Sequence, residues 1–199
     1  AGKGCAGGTC VPSVPVGDAP AKCANGGPPI LLTADGTTQT CAGQTAATTF
    51  PWAICTCDSF TGKGSQIFDA FDSTEAPYVA GGPGAGVGVN GTYSGGSSMS
   101  CTGTLWSYQS INPGNAAIHQ ELHVGGLLDG NVGVTGTGYV VTPHDRGSFA
   151  GDLYTRSCPV TGYTVAGTCH ADPGLTVPAP CQRCEGSNQV PVQGYVSHY

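Results

Sequence analysis

The chain has 199 residues, only 9 % of them charged, and a net charge of −6. Its six Lys and Arg form no cluster, which argues against a groove that tracks phosphates and hence against nucleic acid as a partner. No apolar run approaches the roughly 18 residues of a membrane span, and 34 glycines with 15 prolines are not a helical composition.

In chain order, residues 1–45 read as an irregular arm pinned by disulfides, with one short strand around Ile30-Leu31-Leu32. The start at Ala1-Gly2 fits a removed signal or a fragment of a longer protein. Residues 46–199 read as a single β domain, with a strand-repeat core at about 86–168. Phe50, Trp52, Phe60, Phe68, Phe71 and Tyr78 are expected to seal one end of that core, and the breaker Gly81–Gly86 follows them.

From residue 86 a short pattern recurs: apolar, any, Gly, any, apolar. It begins at Val89, Cys101, Val124, Val134, Phe149 and Val165. In an extended strand the first, third and fifth positions share a face. A glycine between two bulky residues then implies close approach by a neighbouring layer. The predicted fold class is therefore all-β: an irregular right-handed β-helix (solenoid) of unequal coils, stapled by disulfides. A β-sandwich or jelly roll with the same local alternation is the alternative.

Within that region, LHVGGLLDGNVGVTGTGYVV (122–141) resembles the coils of bacterial polymer-forming β-helical proteins, the bactofilin-like group. The resemblance covers less than half the chain and implies architecture: stacked short coils of valine and glycine. The Cys/Gly/Pro-rich flanks resemble secreted bacterial surface proteins.

The eleven cysteines indicate the compartment. Cys5, Cys10, Cys23, Cys41, Cys55 and Cys57 form one cluster, and Cys158, Cys169, Cys181 and Cys184 another. Each is even in number, so five disulfides are possible, as in proteins of oxidising compartments. Cys55 and Cys57 are too close in sequence for an easy mutual bond. A structural zinc at Cys181-Gln-Arg-Cys184 is the competing reading, but no second ligand pair follows it. Cys101 stands alone and is expected to be a buried free thiol, aligned with Val89, Val124 and Phe149.

The stretch His119-Gln-Glu-Leu-His123 is the candidate metal site. If 118–128 is a strand, Ile118, Leu122, Val124, Gly126 and Leu128 face the core, and His119, Glu121 and His123 face outward. Two imidazoles and a carboxylate suit a divalent metal. On a flat strand, however, the two histidines lie about 13 Å apart, so a site would recruit His144, Asp145 or His170. The other reading is a solvated strand face.

No G-x-S-x-G elbow occurs, and the acids do not pair by sequence. Catalytic residues are therefore not assigned, and the reading leans away from an enzyme. The first functional expectation is an extracellular or cell-surface structural protein, a self-associating fibre, coat or adhesin subunit without a cofactor. The alternatives are a secreted protein that binds or acts on polysaccharide through Trp106, Tyr108 or Tyr139, and a metal-binding protein built on HQELH.

Overall fold

A computed structural model describes residues 52–70, 82, 84–181 and 184, together with the backbone of four short strands nearer the N-terminus. The chain divides into two compact units, Ala1–Pro51 and Trp52–Tyr199. In the first unit β1 (Lys3–Ala6) pairs antiparallel with β2 (Thr9–Pro12), and β3 (Pro29–Leu31) with β4 (Gln39–Cys41). The side chains of Cys5, Cys10, Cys23 and Cys41 lie outside the described residues, as do Phe50, Phe71 and Tyr78.

The second unit is a β-solenoid. Thirteen strands, β5 to β17, join in one hydrogen-bonded sheet whose pairings are all parallel. Among the described residues no helix is long and apolar enough to cross a membrane.

Three stacks of strands form three walls. Wall one stacks β5 (Ile54–Thr56), β8 (Val87–Val89), β11 (Leu105–Ser107) and the starts of β13 (Leu122–Val134) and β14 (Gly138–Phe149). It ends with β15 (Leu153–Thr155) and β17 (Cys169–Ala171). Wall two begins with β6 (Phe60–Thr61) and β9 (Tyr93–Ser94). It continues through the start of β12 (Ile111–Ile118) and the middles of β13 and β14. Wall three stacks β7 (Ser65–Phe68), β10 (Ser98–Cys101), the ends of β12, β13 and β14, and β16 (Tyr163–Val165).

Parallel in-register stacking turns inward side chains into columns. Val87, Leu105, Leu122, Gly138 and Leu153 form one, and Phe68, Cys101, Ile118, Val134, Phe149 and Val165 another. Leu105, Leu122, Ile118 and Leu153 are fully buried. At ~25 cal/mol per Å² of apolar area, such columns are the main favourable term of the unit. Gly138 leaves the space that the neighbouring ring of Phe149 fills.

The apolar-x-Gly-x-apolar pattern is a corner, not a strand with glycine at its centre. Cys101, Val134, Phe149 and Val165 each end a strand on wall three. After three intervening residues the chain enters wall one at Leu105, Gly138, Leu153 and Cys169. Both flanking positions point inward, and the glycine lies between the strands. A Cβ on Gly103 would stand 2.6 Å from the Ala85 carbonyl carbon, and one on Gly151 2.8 Å from that of Gly136. Each corner rests on the backbone of the corner before it: Gly136 N–H donates to Gln120 O, and Gly151 N–H to Gly136 O.

Val89 and Val124 belong to a different corner, between walls one and two. Separating the two corners removes the irregularity of the pattern. On wall one the successive partners Val87, Leu105, Leu122, Gly138, Leu153 and Cys169 are 18, 17, 16, 15 and 16 residues apart. Cys101 therefore aligns with Phe149 but not with Val89 or Val124.

The same correction applies to 118–128, which is not one strand. Ile118 ends β12, His119-Gln120-Glu121 forms a corner, and β13 begins at Leu122. Gln120 stands where the other corners carry glycine, which hid this copy of the pattern. Ile118, Leu122, Val124 and Leu128 are buried, whereas Gly126 lies where the register shifts and is only partly buried.

Three disulfides are present among the described residues, characteristic of an oxidising compartment: Cys55–Cys181, Cys57–Cys184 and Cys158–Cys169. Two of them join the sequence clusters to each other. After β17 the segment 172–181 runs back along the corner between walls one and two as a strap. Asp172 N–H donates to Thr155 O, Trp106 Nε1–H to Pro178 O at 2.7 Å, and Trp52 Nε1–H to Pro180 O at 3.2 Å. The Asn90 side chain then pairs both ways with the Cys181 backbone. A solenoid held only by nearest-neighbour contacts frays coil by coil. Here the first coil is tied to the strap by a bond spanning 126 residues, worth roughly 4–5 kcal/mol if chain entropy sets the scale. The Cys57–Cys184 bond adds little of that kind, because the loop it closes is already short.

Gly136→Ala is expected to lower the unfolding free energy by about 1–3 kcal/mol, since overpacking shifts backbone. Thr135→Ala at the same exposed corner stays within about 0.5 kcal/mol; denaturant titration of both variants checks the pair. The Cys101 thiol is buried, outside any disulfide and within 3.2 Å of the Ala85 carbonyl, and its pKa is pushed up to about 11 by burial. In peptide mapping after alkylation at neutral pH, Cys101 should label slowly in the native protein and rapidly once denatured without reductant.

Candidate functional site: an aromatic and histidine ladder

Each wall-one strand has one outward side chain between two inward ones. In register these positions are Cys55, Gly88, Trp106, His123, Tyr139, Tyr154 and His170. Coils repeat at the strand spacing, about 4.8 Å, which matches the separation of offset-stacked rings. Five planar side chains accordingly stack along the wall. Centroid distances are 4.0 Å for Trp106–His123, 4.6 Å for His123–Tyr139, 4.9 Å for Tyr139–Tyr154 and 4.5 Å for Tyr154–His170. No pair is tilted by more than 13°. Trp52 closes the near end edge-on against Trp106 at 5.9 Å. Gly88 carries no ring because a Cβ there would meet Cys55 Sγ at 3.0 Å and Cys181 Sγ at 3.2 Å. The disulfide takes the ring's place in the column.

His123 is largely enclosed, with 12 % of its side chain exposed. Its Nε2–H donates to Glu121 Oε2 at 3.0 Å. Burial lowers its pKa below 6.5, and the Glu121 carboxylate only partly opposes that. The ring is therefore held neutral between Trp106 and Tyr139. Two further histidine–carboxylate pairs clasp successive coils: His144 Nδ1 to Asp129 Oδ1 at 3.2 Å and His170 Nε2 to Asp152 Oδ2 at 3.1 Å. The Asp152 carboxyl lies below its usual range, first through the Thr168 N–H and then through His170. All four of these groups are at least two-fifths exposed, where ion pairs contribute little.

The sequence-predicted metal set is divided by this geometry. Glu121 and His123 meet, but His119 is exposed at the corner, its N–H bonded to Cys101 O. His144 and His170 have carboxylate partners of their own. Among the described residues no group of three or more His, Cys, Asp or Glu is gathered in a ligating cluster.

The aromatics expected to stack on sugars also divide. Tyr139 has a ring on each face, and Trp106 lies between His123 and Trp52. Tyr108 is 47 % exposed and carries no ring partner among the described residues. Sequence reasoning missed Tyr154 and His170 as ladder members. The signal for them was the spacing of Trp106, His123, Tyr139, Tyr154 and His170, which follows the coil length rather than any local motif. No protein-family model, curated protein or solved structure matches the chain.

The sign of the His123 effect follows from linkage. Its pKa is lower in the folded state, so between that value and 6.5 the unfolded chain binds more protons. The contribution is fully present above 6.5 and is lost as pH falls through the folded pKa. Acidification from pH 7.5 to 5 is expected to destabilise the native protein more than a His123→Phe variant, which keeps a ring in the stack. Equal slopes of unfolding free energy against pH would contradict the assignment.

Proposed function

We propose that this is a secreted structural or cell-surface protein whose subunits associate through the open last coil of the solenoid. The observation that carries this reading is the state of β16 and β17. Each pairs on one side only, with β14 and β15 respectively, and among the described residues nothing pairs with their outer edges. The strap does not cover them, because residues 172–181 turn back along a corner. Unpaired parallel edges are templates for strand addition, and a second copy supplies a strand of matching geometry.

Composition supports a mechanical role. Low charge, buried columns, a coil-to-coil ring stack and a covalent strap resist unwinding. The disulfides support an extracellular setting.

Alternation along the parallel ladder directs the Ala171 N–H to the open edge. Leu153 and Asp172 N–H make the neighbouring inter-coil bonds to Thr168 O and Thr155 O. Ala171→Pro removes that outward donor at an exposed position. Sedimentation velocity over a concentration series should show concentration-dependent assembly of the native protein and its loss in Ala171→Pro, with the melting temperature little changed. A native protein that stays monomeric at high concentration overturns the proposal.

A further inference from the structure

A second surface of the solenoid has the make-up of a binding site. Between the strap and the corner joining walls one and two lies an open groove of about 360 Å³, within the ~300–1,000 Å³ of small-molecule sites. Tyr108 and Gln109 line one end, Gly125 and Gly126 the floor, Arg156 the other end, and the strap residue Val177 a wall.

The coil lengths support a recess here. Three residues, Tyr108-Gln109-Ser110, separate Ser107 from Ile111 on one coil. Two coils later only Val141 and Thr142 separate Val140 from Pro143. The corner thus shortens past Tyr108. The floor is glycine because it presses on the coil before: a Cβ on Gly125 would collide with Tyr108 O, and one on Gly126 would meet Ser110 Oγ at 2.7 Å.

The free groups of the groove point to one ligand class. The Tyr108 ring has an unshared surface. The Gln109 Oε1 accepts from Thr92 Oγ1 at 3.3 Å, which leaves its two amide N–H for a ligand. Among the described residues Arg156 has no carboxylate within ion-pair distance, and no acid lines the groove. In a protein of net charge −6, an unpaired guanidinium at a groove without acids selects a carboxylate or similar anion. The aromatic surface suits the C–H face of a pyranose, and the amide suits its hydroxyls.

Tyr108 and Arg156 stand on coils three steps apart, about 14 Å at ~4.8 Å per step. A single sugar ring does not reach both. We infer that this groove binds a carboxylated oligosaccharide, a short uronic-acid chain lying along the solenoid axis with one ring on Tyr108 and a carboxylate on Arg156. This goes beyond self-association and uses a different face from the open coil, so either proposal can fail without the other.

Isothermal titration of the native, oxidised protein with a uronic-acid trisaccharide tests the inference. The uronic-acid monosaccharide and a neutral hexose trisaccharide of the same linkage serve as the comparison ligands. The acidic trisaccharide is expected to bind, with the neutral chain and the monosaccharide each weaker by about tenfold or more. Arg156→Gln should erase the preference for the acidic chain while leaving neutral binding as it was. Tyr108→Ala should weaken both trisaccharides. Both residues are exposed, so folding of the variants is checked simply by an unchanged melting curve. Absence of binding by the acidic trisaccharide, or an affinity for it that Arg156→Gln does not alter, overturns the proposal.

Discussion

Everything in the solenoid depends on stacking each coil on the previous one in parallel register through a corner of fixed length. From Cys101–Leu105 through Ile118–Leu122 to Val165–Cys169, the corner between walls three and one has three residues each time. A constant corner keeps inward positions inward from coil to coil, because strand side chains alternate and a slip by one would expose the whole column. The requirement for glycine follows from the same contact. At Gly103, Gly136, Gly151 and Gly167 successive corners touch at distances that leave no room for a Cβ. Coil length varies between walls two and three, where β12 and β13 shift register, and at the corner between walls one and two, where the change shapes the groove beneath the strap.

One rule of register produces both the core and the ladder. Inward columns collect branched aliphatics and Phe149, while the outward column of wall one collects rings. Planarity is what the coil spacing favours there, since flat groups fill a separation of about 4.8 Å without leaning. His123 fits for this reason, although enclosure between rings disfavours its charge. Its neutrality follows from the stack, and the Glu121 carboxylate orients the imidazole without overcoming that burial. The stacked rings present edges rather than faces, whereas Tyr108, one corner away, keeps an open face. Aromatic residues of similar sequence context thus have different chemical availability.

The strap adds the long-range term that coil-to-coil contacts lack. By joining Cys55 to Cys181 it ties the far end of the strap to the first coil, and Trp52, Asn90 and Trp106 bind the strap's backbone along the way. The strap runs along one side of the solenoid, and among the described residues the strands of its first and last coils each pair on one side only. The strap wall of the groove makes its shape dependent on the same oxidised bonds.

The sequence by itself determined the class of fold. Glycine between bulky residues, low charge and paired cysteine clusters specify stacked short strands in an oxidising compartment, because such glycines are tolerated only where backbone must approach backbone. It also marked Cys101 as the cysteine left over from both clusters, and its apolar position in the pattern agrees with the buried thiol outside any disulfide. Which residues meet was decided by tertiary structure alone. Two kinds of corner share one local pattern, so the copies at 89 and 124 could not be separated from those at 101, 134, 149 and 165. With Gln120 in the glycine's place, His119-Gln-Glu-Leu-His123 looked like a strand. Disulfide partners 126 and 127 residues apart, and rings brought together only by coil closure, depend on the length of each turn. That length is a property of the closed structure, and no short window of sequence contains it.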